Sequence, residues 1–468
     1  MAGASAIDRD ILDRVVKAYD IRGLVDDELG VRLVRQLGAA AATVLVEPGG
    51  RFVIGRDMRP SSPAWVDAFV DGVTAEGVDV VDIGLASTDQ LYYASGVLGA
   101  AGAMITASHN PPTYNGIKLC RAGAVPVAID SGLADIRDRA TAGGSTGGSG
   151  GESGGAAVTG MREHRDLLPD FAAHARSFID TSLLRQVSVA VDAGNGMAGH
   201  IWPAVVEGLP IDTTPLYFEL DGTFPNHPAN PLDPANLEDL QAEVVAGGQA
   251  LGLAFDGDAD RVFAVDEHGA SVSSSLIGAV VADRLLLRHP GATVLHNLIC
   301  SRTVPETIRH AGGQPVRTRV GHSFIKERMA ATGAIFAVEH SGHFYFRDNF
   351  RADSGIITAL VLLEAIAVAD APLSEVVAPY DRYRGSGELN LDVADPQGTI
   401  DAVAAAFADR AVAHDTEDGL TVDLDDRWFN LRPSNTEPVV RLNVEAANAH
   451  DLEELTAEVL ASVDAATR

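Results

Sequence analysis

Three stretches of this chain repeat one pattern, and that pattern restricts the fold more than any single residue does. RFVIGRD (51–57), VSVAVDAGNG (187–196) and ATVLHNLICSR (292–302) are short apolar runs closed by polar or glycine-bearing turns, and helical patterning such as PAWVDAFVDGVTAEG follows. A buried strand, a turn and a helix in succession make β/α units with largely parallel sheets, since a parallel strand has to be covered on both faces. Their spacing, about a hundred residues or more, predicts three related α/β domains. The C-terminal part departs from the pattern. VVRLNVEA (439–446) alternates apolar with polar residues as a half-exposed antiparallel strand, and DLEELTAEVLASV (451–463) has helical apolar spacing, so a small α+β domain is expected there. AGGSTGGSGGESGGAAVTG (142–160) reads as a flexible surface insertion near the end of the first domain.

A chain of 468 residues exceeds what one core organises. Its net charge of −30 repels nucleic acid and anionic membranes, so any phosphate it binds needs a local basic site. Only Cys120 and Cys300 occur, no apolar run reaches the length of a membrane span, and MAGASAIDRDILD lacks a signal's apolar core. These features predict a reduced, cytoplasmic enzyme, monomeric or dimeric, with no nucleic-acid or membrane partner.

FDGDADR (255–261) sets Asp256, Asp258 and Asp260 two residues apart between the apolar runs LGLAF and VFAV. In an extended segment that period aims all three carboxylates one way, and they repel one another unless a cation sits among them; hard oxygen ligands suit Mg²⁺. An EF-hand would want glycine where Arg261 stands and helices, not strands, on both sides. A solvated acidic turn is the other alternative. Arg261 adds a cation suited to phosphate oxygens.

ITASHNPPTYNGIK (105–118) places Ser108, His109 and Asn110 together, with Lys118 read on the same short loop. A serine hydroxyl becomes a nucleophile only beside a base or a metal. Its composition would also make a plain surface turn, and no G-x-S-x-G elbow surrounds it. GNGMAG (194–199) matches G-x-G-x-x-G after a strand, but a dinucleotide site would leave the aspartates unused.

TASHNPPTYNGIK, DGDADR, EHSGH (339–343) and RPSNTEP (432–438), in this order and preceded by KAYDIRG (17–23), resemble the α-D-phosphohexomutase superfamily and, within it, bacterial phosphomannomutase/phosphoglucomutase. The resemblance covers nearly the whole chain. It implies four domains around a central cleft: three related α/β domains with mixed, mostly parallel sheets, and a C-terminal α+β domain resembling the TATA-binding-protein fold. The limits expected are 1–165, 166–270, 271–380 and 381–468. It further implies that Ser108 carries a phosphoryl group and shares a Mg²⁺ ion with Asp256, Asp258 and Asp260. Arg22 and Arg261 would neutralise phosphoryl oxygens, and His109 and Lys118 are the two candidates for moving a proton. Glu339 and Ser341 would hold sugar hydroxyls, with His322 and His343 as further contacts. Arg432, Ser434, Asn435, Thr436 and Arg441 would clamp the unreactive phosphate.

The implied reaction interconverts mannose 1-phosphate and mannose 6-phosphate, with glucose phosphates as a second pair, through a hexose 1,6-bisphosphate that also serves as activator. A phosphoglucosamine mutase, whose sugar loop usually differs at His340, a sugar-phosphate phosphatase and a non-catalytic binding relative are the alternatives. Two departures stand out. Val338 occupies a position where many relatives have glycine, which would tilt the sugar loop, and NLICSR (297–302) has no lysine, so Ile299 is given no role. In GRDMRPSS (55–62), Arg56 and Asp57 are expected to lock the strand end as an ion pair.

Overall fold

The computed structural model of the protein describes residues 9–141, 159–433 and 439–467. Most of the Gly/Ser tract and residues 434–438 of RPSNTEP lie outside the described residues. The described residues form four sheets. The first contains β1 (Ile21–Leu24), β2 (Arg51–Arg56), β3 (Asp79–Leu85), β4 (Ala101–Ile105), β5 (Tyr114–Arg121), β6 (Val125–Pro126) and β7 (Arg162–His164), in the order β1-β5-β4-β2-β3-β7 with β6 on β5. The second, β12-β11-β10-β8-β9, is built from β8 (Val187–Asp192), β9 (Ile211–Leu216), β10 (Leu251–Phe255), β11 (Val262–Asp266) and β12 (Ser271–Val272). The third, β14-β13-β15-β16-β17, is built from β13 (Thr293–Asn297), β14 (Gln314–Thr318), β15 (Phe336–Val338), β16 (Phe344–Phe346) and β17 (Ala352–Asp353).

These three sheets share one plan. A first strand (β2, β8, β13) pairs in parallel with its two neighbours, and the second neighbour (β4, β10, β15) turns back through a hairpin into an antiparallel strand (β5, β11, β16). The three sequence segments that predicted the repeat are the three first strands. Each is followed by a helix, Ser62–Ala75, Ala198–Val206 or Thr303–His310. The hairpins matter most for function, because each turns at one of the quoted motifs.

The fourth sheet, β18-β22-β21-β20-β19, is antiparallel throughout: β18 (Arg384–Asp392), β19 (Ala413–Asp415), β20 (Leu420–Asp423), β21 (Arg427–Pro433) and β22 (Val439–Ala446). Helices Pro396–Phe407 and Ala449–Ala466 close its core, with the Phe407 and Phe429 rings 4.9 Å apart. One expectation is corrected here. β22 is not half-exposed: Glu445 is buried, and its carboxylate accepts Arg302 N at 3.0 Å and Trp428 Nε1 at 2.8 Å, so this polar residue serves a contact with the third unit.

Cores divide unequally. Sheets two and three share one continuous apolar cluster, centred on helix Gly355–Ala369, which is buried nearly all round. The first and fourth sheets each have a cluster of their own. A helix apolar on every face belongs inside a protein. Among the described residues no single helix is long and apolar enough to cross a membrane.

Candidate functional site

The hairpin loops of the first three sheets meet. Residues 106–113 join β4 to β5, 256–261 join β10 to β11, and 339–343 join β15 to β16, while an isolated antiparallel bridge ties Arg261 to His343. Close approach requires glycine: a Cβ on Gly257 would lie 2.5 Å from Ser108 O, and one on Gly196 would lie 2.7 Å from Gly257 O. Gly196 of GNGMAG therefore lets the start of helix Ala198–Val206 lie against the acidic loop.

Ser108 is 4% exposed and has φ +52°, a left-handed backbone that a serine adopts only where neighbours hold it. Its Oγ donates to Asp256 Oδ2 at 2.7 Å and lies 3.2 Å from His109 Nδ1. Arg261 Nε donates to the same Asp256 oxygen at 2.9 Å, and Arg261 Nη2 contacts His109. Arg22 reaches the loop from β1, donating to Asn110 Oδ1 at 2.7 Å.

Asp256, Asp258 and Asp260 bring carboxylate oxygens within 4.8 Å of one another, all buried. The route differs from the expected extended segment: the three sit on the β10–β11 turn, with Ala259 at φ +61°, and converge because the chain folds back on itself. Lys118 is likewise not on the serine loop. It lies on β5 and donates from Nζ to Asp258 Oδ2 at 2.7 Å and to Asp260 Oδ2 at 2.6 Å. Two buried oxygens, Asp258 Oδ1 and Asp260 Oδ1, have no hydrogen-bond partner among the described residues. Three hard anionic ligands, two of them with an orphaned oxygen, fit a divalent cation. This acidic group could hold a metal.

Electrostatics in the cluster are strongly coupled. Burial opposes charge on Asp258, yet Lys118 and the Thr88 hydroxyl outweigh it and hold the carboxyl well below its usual range. Burial also opposes charge on Lys118, but Asp258 and Asp260 keep its ammonium well above the ordinary lysine value. Burial, with Arg261 and Arg22, lowers His109 to about 2 and leaves a neutral imidazole.

On the third sheet, Glu339 is buried with its carboxylate accepting Gly321 N at 3.0 Å and Tyr345 Oη at 2.8 Å. Ser341 Oγ lies 3.0 Å from His343 Nδ1, and His343 Nε2 is 3.6 Å from Asp260 Oδ1. His322 opens the helix His322–Thr332 against the Tyr19 ring, and burial with Lys326 lowers it to about 3. Val338 ends β15 just before the sugar loop. It is buried, and its Cγ1 lies 2.4 Å from where a Cβ on Gly278 would stand, so the larger side chain is accommodated by a glycine in the core.

Arg432 and Arg441 are register partners across β21 and β22 and share Glu388 of β18, at 2.7 and 3.4 Å. Both leave Nε buried without a partner among the described residues. Ser434, Asn435 and Thr436 lie outside the described residues. The expected ion pair at the end of β2 is formed differently: Asp57 pairs with Arg59, at 3.2 Å, while Arg56 donates only to the Asp57 carbonyl.

Sequence reasoning missed several groups. Thr88, at the start of helix Thr88–Leu98, donates to Asp258 Oδ2 at 2.6 Å, and its N–H to Asp258 O at 3.0 Å. Nothing near residue 88 signals that contact. Glu388 is equally silent, as is Asp353, whose carboxylate lies 3.8 Å from His343 Nε2 and 3.4 Å from Lys326 Nζ, whereas Arg59 stands inside a quoted segment.

Four family descriptions match in chain order: phosphoglucomutase/phosphomannomutase alpha/beta/alpha domain I over residues 13–145, domain II over 169–269, domain III over 273–383, and the C-terminal domain over 388–462. The chain belongs to the phosphoglucomutase/phosphomannomutase family. Within that family it is similar to the phosphohexose mutases of Xanthomonas campestris pv. campestris, 38% identical over 95% of this chain and 97% of the relative, and to the phosphomannomutase of Salmonella typhimurium, 39% identical over 92% and 94%. A crystal structure of a phosphoglucomutase/phosphomannomutase family protein from Burkholderia thailandensis superposes with a TM-score of 0.86 at 31% identity, covering 98% of both chains.

Proposed function

We propose that the protein is a phosphomannomutase, interconverting mannose 1-phosphate and mannose 6-phosphate, with glucose phosphates as a second substrate pair. The observation that carries this reading is the Ser108 hydroxyl 2.7 Å from Asp256, inside a group of three carboxylates. In the working form Ser108 bears a phosphoryl group. A sugar hydroxyl attacks its phosphorus, the P–O bond to Ser108 breaks as the new P–O bond forms, and a hexose 1,6-bisphosphate results. After turning over, that intermediate returns its other phosphoryl group to Ser108 Oγ, so each cycle leaves the enzyme phosphorylated.

Asp256, Asp258 and Asp260 would hold Mg²⁺, which supplies charge neutralisation at phosphoryl oxygens. Arg261 and Arg22, which contact His109 and Asn110 of the serine loop, are assigned the remaining oxygens. The hydroxyl proton is assigned to one of two candidates, His109 beside the Ser108 hydroxyl or Lys118 on the carboxylates. Glu339, Ser341, His322 and His343 are assigned to the sugar. Arg432 and Arg441, with Ser434, Asn435 and Thr436, are assigned to the distal phosphate. The units 1–165, 166–270, 271–380 and 381–468 belong to the same proposal. So do a hexose 1,6-bisphosphate requirement for priming and a cytoplasmic setting, on the two buried free thiols Cys120 and Cys300.

The test supplies mannose 1-phosphate, glucose 1-phosphate and glucosamine 1-phosphate in turn, with Mg²⁺ and a trace of bisphosphate, and compares kcat/KM. The highest value for mannose 1-phosphate is expected. A preference for glucosamine 1-phosphate would reassign the substrate, and free phosphate released without isomerised sugar would make the protein a phosphatase.

A further inference from the structure

Arg59 spends its whole guanidinium on the loop that carries Ser108. The side chain is 1% exposed, and all five N–H donors find acceptors. Nε donates to Asp57 Oδ2 at 3.2 Å, Nη1 to Pro111 O at 2.9 Å and Tyr114 O at 2.8 Å, and Nη2 to Ser108 O at 2.9 Å and Asn110 O at 2.6 Å. Four of the five acceptors are main-chain carbonyls between residues 108 and 114. Asp57 is itself held: it accepts Ser62 Oγ at 2.7 Å and Arg59 N at 3.0 Å, and its own N–H donates to Ile105 O at the end of β4. A second tie runs from Asn115 Nδ2 to Ser61 and Ser62. From the other side the Phe224 ring, on the second unit, lies 5.1 Å from the guanidinium carbon.

We propose that Arg59 is a positioning residue for phosphoryl transfer: its planar fork turns the carbonyls of residues 108–114 inward and so holds Ser108 in the left-handed backbone that aims Oγ at the Asp256 carboxylate. This rests on the mutase reading above. Several turned-in carbonyls at fixed angles require several coplanar donors, which a guanidinium has and an ammonium lacks. Because Ser108 O is bonded directly, a change at Arg59 is felt in the residue that carries the reacting oxygen. Misplacing a reacting atom by about 1 Å costs on the order of 100-fold in rate.

The experiment compares parent enzyme, Arg59→Lys and Arg59→Ala, reading kcat and KM for mannose 1-phosphate with Mg²⁺ and bisphosphate, thermal unfolding, and recovery of activity by low concentrations of guanidinium or methylammonium ion. Expected is a folded Arg59→Lys protein with kcat lower by about 100-fold and KM within about threefold of the parent. Guanidinium, but not methylammonium, should raise the rate of Arg59→Ala. A folded Arg59→Lys variant with kcat within about threefold of the parent overturns the inference, as does recovery that is equal with both ions. Should Arg59→Ala fail to fold, the Arg59→Lys kinetics decide alone. A parent that isomerises hexose phosphates beside an unimpaired Arg59→Lys variant removes this inference only, whereas a parent that transfers no phosphoryl group removes the mutase reading with it.

Discussion

Ser108 Oγ and Asp256 Oδ2 are 2.7 Å apart although 148 residues separate them in the chain. Two hairpins from two separate sheets create that contact, and it joins a serine hydroxyl to a group of carboxylates that could hold a metal. If Ser108 is the phosphoryl carrier, Ser108→Ala lowers turnover by at least about 1,000-fold while the far-UV spectrum is unchanged. Full mutase turnover in the alanine variant would end the phosphoserine reading.

Asp258 receives Lys118 and Thr88 on one oxygen and leaves the other without a partner among the described residues. Asp258→Ala should weaken Mg²⁺ binding at least about tenfold and suppress turnover at ordinary Mg²⁺. Titration calorimetry with Mg²⁺ checks the binding arm, and an unchanged affinity would remove the residue from the metal set.

Arg432 and Arg441 balance on one carboxylate, Glu388. Arg432→Ala should raise KM for mannose 1-phosphate about 10- to 100-fold with a smaller change in kcat, because a charge-assisted contact to the phosphate made before and during reaction is lost. An unaltered KM would count against the phosphate clamp.

His296, on β13, is buried with Nδ1 3.1 Å from Asn297 O, and burial together with Arg317 and Arg309 lowers it to about 4. A histidine whose folded pKa is depressed gives the unfolded chain more protons at mildly acid pH. Its stabilisation is therefore complete above about pH 6.5 and is lost as pH falls towards 4, by up to about 3 kcal/mol. Urea titrations at pH 7 and pH 4.5 should show a larger drop for the parent than for His296→Gln, and equal drops would exclude the histidine as the cause.

Local patterns carried far in this protein. The strands β2, β8 and β13 were legible because a buried parallel strand is a continuous apolar run, and helix Ala449–Ala466 because its apolar spacing is helical. The aspartates were legible as a set, but for a partly mistaken reason: a tight turn with Ala259 at positive φ, not an extended strand, points them together. Lys118 reads as a loop residue because turn formers precede it, whereas β5 begins at Tyr114.

What the sequence by itself determined is the repeating plan, the chemical kinds in each motif and the family to which they belong, since these follow from residue identity and spacing along the chain. Only the tertiary structure decided which groups touch. It set Thr88 on Asp258, Arg59 on four loop carbonyls, Glu388 between two arginines and Asp57 opposite Arg59 rather than Arg56. Contacts of this kind depend on how sheets pack across one another, and a side chain's neighbours in a folded core come mostly from distant parts of the chain, where local patterning has no reach.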